Sequence, residues 1–216
     1  MDIMLTHEEV RVLGSLLEKE MTTPEYYPLS LNALLNACNQ KTSRVPVVSY
    51  DEKLVLGVLK SLQEKRLVWK SDSGRVPRYE QWLVKNSKLI NSEAAVLCVL
   101  MLRGQQTLGE IKSHTERLYE FADLESVNDT LNDLMEAGYA EKAPRMPGQK
   151  ESRYVHLLSG SPKDIPTDPY SPSEEATVPP PEEDRRAASL EDELKALRSE
   201  FDEFRLKVNL FMNQFK

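Results

Sequence analysis

The apolar positions Val55, Leu59, Leu62, Leu67 and Val68 return as Val127, Leu131, Leu134, Tyr139 and Ala140, each 72 residues later. An internal repeat of this kind constrains a chain more than any single motif, because one supersecondary unit has to be usable twice. Each copy leaves a helix at Lys65-Arg66 or Ala137-Gly138 and enters a short strand. It then turns through residues 71–77 or 144–148 and returns in an apolar strand opening with Arg78-Tyr79 or Arg153-Tyr154. Upstream, Glu9, Leu13, Leu16 and Leu17 match Glu93, Leu97, Leu100 and Met101 at an offset of 84. Ser30, Leu31 and Leu34 match Thr107, Leu108 and Ile111 at an offset of 77.

Helix starts are written in capping chemistry. Thr6 with Glu9, Ser49 with Glu52, and Thr107 with Glu110 fit the S/T-x-x-E box, in which side chain and backbone satisfy each other's orphan groups. The order within each copy is therefore helix, helix, helix, strand, turn, strand. The expected architecture is mainly α with small β-hairpin wings (α+β), in the form of tandem winged helix-turn-helix domains at residues 1–86 and 87–159.

Composition changes after Ser159. Residues 161–183 hold seven prolines and six acidic residues, too few apolar side chains to offset the entropy of ordering, so 160–188 reads as a disordered Pro/acidic linker. Beyond it, Leu190, Leu194, Leu197, Phe201, Phe204, Val208, Phe211 and Phe215 recur at alternating spacings of four and three, with Ser189 and Asp192 as a capping box. That stripe predicts an amphipathic coiled-coil helix over 189–216 and a homodimer. Its four phenylalanines are bulky for a two-stranded seam, which leaves packing back onto a winged helix as the other possibility.

No stretch of 18 apolar residues spans a membrane, and the N-terminus carries no signal pattern, so a cytoplasmic protein is expected. Cys38 and Cys98 sit in apolar helical patterns without CxxC spacing, as buried free thiols do. The sequence has no GxGxxG, P-loop, HExxH or GxSxG, and His7, His114 and His156 fall on unrelated elements. No enzyme, metal or cofactor is expected.

Charge is uneven. Residues 1–86 hold 12 Lys/Arg against 11 Asp/Glu, 87–160 hold 8 against 11, and 161–216 hold 8 against 13. Phosphate affinity comes mainly from cations, so any nucleic-acid contact is expected in the first domain. The first copy also inserts polar residues between its second and third helices. Asn39, Gln40, Lys41, Thr42, Ser43 and Arg44 supply the amides, hydroxyls and cations that read base edges and hold phosphates, or alternatively cap and turn the backbone. Lys53 and Lys60 on the third helix and Lys70, Arg75 and Arg78 on the wing complete the candidate DNA face. The third helix of the second copy carries Asp123, Glu125, Asp129, Asp133 and Glu136 and no cation, which suits a protein partner instead.

The run Leu16-Leu17-Glu18-Lys19-Glu20-Met21-Thr22-Thr23-Pro24-Glu25, followed by Tyr27-Pro28-Leu29-Ser30-Leu31-Asn32-Ala33-Leu34 and Asn36-Ala37-Cys38-Asn39-Gln40-Lys41, resembles the signature of the YceH-like family of bacterial proteins. The resemblance covers residues 5–159 and implies a tandem winged-helix fold in a bacterial cytoplasmic protein, without an assigned activity. Two functions suit such a chain: a dimeric DNA-associated regulator, and a protein-interaction scaffold that does not bind DNA directly.

Overall fold

A computed structural model describes residues 4–72, 74–144 and 151–160. Contacts divide the chain into units at 1–166 and 167–216, and all the described residues belong to the first. The expected linker at 160–188 and the heptad positions Leu190 to Phe215 lie outside the described residues, apart from Gly160.

The first copy runs α1 (His7–Thr22), a single 3-10 turn (Pro24–Tyr26), β1 (Leu29–Ser30), α2 (Leu31–Cys38), α3 (Glu52–Glu64), β2 (Val68–Ser71) and β3 (Arg78–Gln81). A short helix, α4 (Leu83–Ser87), leads to the second copy. That copy runs α5 (Asn91–Arg103), β4 (Gln106–Thr107), α6 (Leu108–Thr115), α7 (Leu124–Glu136), β5 (Ala140–Lys142) and β6 (Arg153–His156). Each copy forms one antiparallel three-stranded sheet, ordered β1-β3-β2 and β4-β6-β5. The registers correspond as well: Tyr79 pairs with Leu29 and Lys70, and Tyr154 with Gln106 and Lys142. This mixed α+β arrangement of seven helices and two small sheets among the described residues is compatible with winged helices.

The first strand of each sheet is two residues long and escapes periodicity, but the same chemistry holds both. Arg78 donates from Nη1 to the Pro28 carbonyl at 2.7 Å, and Arg153 donates to the Gln105 carbonyl at 3.0 Å, in each case the residue just before the first strand. Capping boxes at Thr6/Glu9 and Thr107/Glu110 form as expected. The box at Ser49/Glu52 does not. Asp51 caps α3 instead, its carboxylate accepting from the Leu54 amide at 2.7 Å. The cap shifts because Asn39 clamps Tyr50 in both directions, from Nδ2 to the Tyr50 carbonyl at 2.9 Å and from the Tyr50 amide to Oδ1 at 2.8 Å, so the chain turns into helix only after it.

One hydrophobic cluster runs through both copies, from Leu5 to Leu158. Its axis is the crossing of α1 and α5. Residues 94–102 of α5 are all buried, the all-round apolar character of a core helix. A Cβ on Gly14 of α1 would lie 3.0 Å from Leu102 Cδ2 and 3.2 Å from Met101 Cβ, so the missing side chain is what lets the helices approach. Leu17, Ala94, Cys98 and Leu102 extend the contact, and the Leu5 amide donates to the Leu158 carbonyl at 2.7 Å. Both cysteines are free and buried, and burial raises the Cys38 thiol to about 11.

Two glycines test this packing in opposite directions. Gly57 is exposed in the middle of α3 with nothing within 4 Å of a built Cβ, so Gly57→Ala should stabilise the protein by about 0.5–1 kcal/mol through backbone entropy. Gly14→Val should destabilise it by about 1–3 kcal/mol through overpacking. Urea unfolding of the two variants measures both signs.

Candidate nucleic-acid interface

The loop joining α2 to α3 turns most of its recognition chemistry inward. Arg44 is 3% exposed. Its Nη2 lies 2.6 Å from Glu18 Oε2 and its Nη1 2.9 Å from Glu18 Oε1, a two-point fork onto α1. The remaining donors reach the Ala37 carbonyl at 3.2 and 3.0 Å, the Ser43 carbonyl at 2.9 Å and Gln40 Oε1 at 3.1 Å. Burial opposes ionisation of Glu18. The hydrogen bonds and charge of Arg44, helped by Lys19, outweigh that penalty and hold the carboxyl below the usual glutamate range.

The neighbouring residues are tied in the same way. Asn39 is the Tyr50 clamp, and Gln40 accepts from Arg44 and Lys19. Ser43 adopts a positive φ of 60° and accepts from Arg103 of α5 at 2.7 Å. The Val45 amide donates to the Leu102 carbonyl at 2.8 Å, and buried Arg11 donates to the Pro46 carbonyl. The loop thus bonds to α1 of its own copy and to α5 of the other. Arg44, expected to face phosphate, is withdrawn from solvent because the Glu18 carboxylate and the Ala37 carbonyl together hold its guanidinium inside. Asn39 is likewise drawn into the backbone turn rather than left to read bases.

Lys41 and Thr42 at the tip are exposed, as are Lys53 and Lys60 on α3 and Arg75 on the wing. Lys70 pairs with Asp72 at 3.0 Å, which weakens its attraction for an anion. Arg78 is exposed but holds β1 through Pro28, the same task Arg153 performs in the acidic copy. Lys65 closes on Glu9 at 2.6 Å, and Glu9 also accepts from Ser61.

Several surface residues escaped the sequence reading. Leu54 and Leu56 of α3 are 38% and 41% exposed. The buried stripe of that helix is Val55, Leu59 and Leu62, so these two leucines lie off it; an excess of apolar residues over one stripe was the available signal. The β2–β3 hairpin exposes Val76 and Trp69, the latter stacked on Trp82 at 5.5 Å between centroids. In the second copy, all five carboxylates from Asp123 to Glu136 are exposed. Among the described residues no group of His, Cys, Asp and Glu is arranged to hold a metal ion, and no helix is long and apolar enough to cross a membrane.

Residues 5–149 match the family described as "Protein of unknown function, DUF480". The chain belongs to this family. A relative named UPF0502 protein in Solibacter usitatus is 49% identical over 210 residues, covering 95% of this chain and 98% of its own. Another in Pelobacter propionicus is 46% identical over 222 residues, covering both chains fully, residues 161–216 included. A third in Koribacter versatilis is 51% identical over 161 residues, 73% of this chain and 75% of its own. This membership accords with the resemblance carried by residues 16–41.

The Arg44–Glu18 fork generates a stability prediction. Arg44→Ala strands a largely buried carboxylate and should cost about 3–5 kcal/mol in urea unfolding. Because the folded pKa of Glu18 is depressed, its contribution is complete above the unfolded value of about 4.3 and is lost as pH falls through the folded value. Glu18→Gln should therefore flatten the acid limb of the stability–pH curve, measured as unfolding free energy between neutral and acid pH.

Proposed function

We propose that the two copies are winged-helix modules of a non-enzymatic cytoplasmic adaptor, and that the first module binds a protein segment rather than reading a DNA sequence. The observation that carries this reading is the solvent face of α3, the helix a winged helix would lay in the major groove. Leu54 and Leu56 are exposed on the two flanks of its buried stripe, and Lys53 and Lys60 lie on the solvent face between them. Base edges are read mainly by Arg, Lys, Asn and Gln side chains, and of these α3 offers solvent only Lys53 and Lys60. Helix α3 has no Arg or Asn, and its one Gln, Gln63, is half-buried in the last turn. Asp51 and Glu52 at its N-terminus would also face phosphates with like charge. A segment with carboxylates between apolar residues fits the lysines and the leucines on either side of them better than a duplex does.

The dimeric DNA-associated regulator is supported by exposed Lys53, Lys60 and Arg75. Arg66 at the end of α3 and Arg78 are exposed beside them. The heptad positions from Leu190 to Phe215 support pairing of two chains in either reading, and the acidic face of α7 offers a second protein-binding surface.

Fluorescence anisotropy of labelled duplexes with the full chain tests the choice. The adaptor reading predicts binding that is equal across sequences and is removed by competitor DNA, with a log–log salt slope of about −0.9 for each phosphate contacted. Competition-resistant binding to one sequence contradicts it and restores the regulator. Sedimentation of the full chain beside its Leu197→Asp/Phe204→Asp variant tests pairing: the variant should shift to monomer, and an unchanged distribution removes the heptad from the proposal.

A further inference from the structure

Between the two copies lies a cleft of about 390 Å³, walled by α1 and the loop tip on one side and by the ends of α5 and α6 on the other. Its cations are under-compensated. Arg103 donates to Ser43 Oγ at 2.7 Å but forms no ion pair among the described residues, and neither does Arg117. Lys19 reaches Glu18 at 3.3 Å and Gln40 at 3.5 Å, both long, and Glu18 is already held by the fork of Arg44. Arg44 itself sits behind the wall, held by Glu18, so three cationic side chains line the opening while, among the described residues, Glu18 and Glu116 are the carboxylates lining it.

His114 is oriented toward the same space. The Gln106 amide donates from Nε2 to the carbonyls of Arg103 and Gln105 at 3.2 and 2.8 Å, which fixes its Oε1 as the acceptor for His114 Nδ1 at 2.8 Å. The His114 Nε2 is then the nitrogen left for a ligand. Among the described residues no aromatic ring of Phe, Tyr or Trp lines the cleft to stack a base; hydroxyls of Thr22, Thr42 and Ser113 do line it.

We infer that this cleft binds a small hydroxylated phosphate ester of the sugar-phosphate class, its phosphate clamped between Arg103 and Lys19. The planar guanidinium matches two phosphate oxygens at once, and the lysine adds a point charge from the opposite wall. The Ser43 hydroxyl, which accepts from Arg103, can turn its own proton to a third oxygen. The volume exceeds that of a bare phosphate and falls within the range of small-ligand sites. The threonine and serine hydroxyls and Glu116 offer partners to the hydroxyls of the ester's carbon skeleton. Burial, together with the charge of Arg44 and against that of Glu18, lowers the Arg103 pKa, so an anion beside it relieves that penalty. Because one clamp residue belongs to each copy, a bound ester ties the copies together.

Isothermal titration calorimetry of the full chain with ribose 5-phosphate, at constant ionic strength, tests the inference. Inorganic phosphate and ribose serve as comparison probes. The expected result is saturable binding that weakens about tenfold or more in Arg103→Gln and in Lys19→Gln, from loss of a charge-assisted contact, and is unchanged in Arg75→Gln on the wing. Lys19 is partly exposed and makes only long polar contacts, so its variant keeps the test valid should Arg103→Gln fold poorly. Absence of saturable heat, or equal affinity in all three variants, overturns the site. Inorganic phosphate binding as tightly as the ester overturns the sugar-phosphate assignment. The DNA result decides nothing here, since no cleft residue lies on α3 or the wing.

Discussion

The arrangement of the first 160 residues depends on a guanidinium that has left the solvent. Burying an arginine is costly unless its charge and its donors are met, and Arg44 meets that requirement with both oxygens of Glu18 and with the carbonyls of Ala37 and Ser43. Once Arg44 is anchored to α1, the residues on either side have little choice of path. Ser43 reaches Arg103, and Val45 reaches Leu102, so the same anchor that folds the loop also fastens α5 to it. The polar insertion that distinguishes the first copy from the second is therefore a junction element between copies, and the recognition chemistry it carries is largely committed inside the protein.

The two copies share strand order, register and even the arginine that holds the first strand, yet they present unlike surfaces. On α3 the solvent face carries lysines with a leucine on each flank; on α7 it is a row of carboxylates. Packing positions and surface positions of one helix vary independently, because the buried stripes Val55-Leu59-Leu62 and Val127-Leu131-Leu134 fix the fold and the remaining positions do not enter the core. Repetition of one unit thus gives a pair with two distinct faces. Their first helices cross at the bare backbone of Gly14, and a single hydrophobic core runs through both.

The repeat was legible because its signal is apolar spacing, which the core imposes directly. Helix order and the paired strands β2–β3 and β5–β6 followed from it. What the sequence did not disclose is where a long polar side chain goes. Arg44 reads as a surface cation until Glu18, 26 positions away, is brought beside it, and nothing local marks that pairing. Asn39 was left with two readings for a related reason: an amide can read a base or clamp a turn, and only the return of the chain to Tyr50 decides. Leu54 and Leu56 were hidden by the opposite effect, since apolar residues flanking a buried valine look like more core. The two-residue strands β1 and β4 were too short for any period to show.

Native-state hydrogen exchange at the Val45 amide tests the junction role of the loop most directly. Val45 exposes its side chain on a connecting loop, so ordinary loop behaviour would be rapid exchange. Its amide instead bonds to the carbonyl of Leu102 in the central buried helix at 2.8 Å. Protection of Val45 at the level of the α5 amides, well above that of Thr42 at the loop tip, is the predicted result. Exchange as fast as at Thr42 would contradict it and return residues 39–44 to the surface as a segment available for recognition.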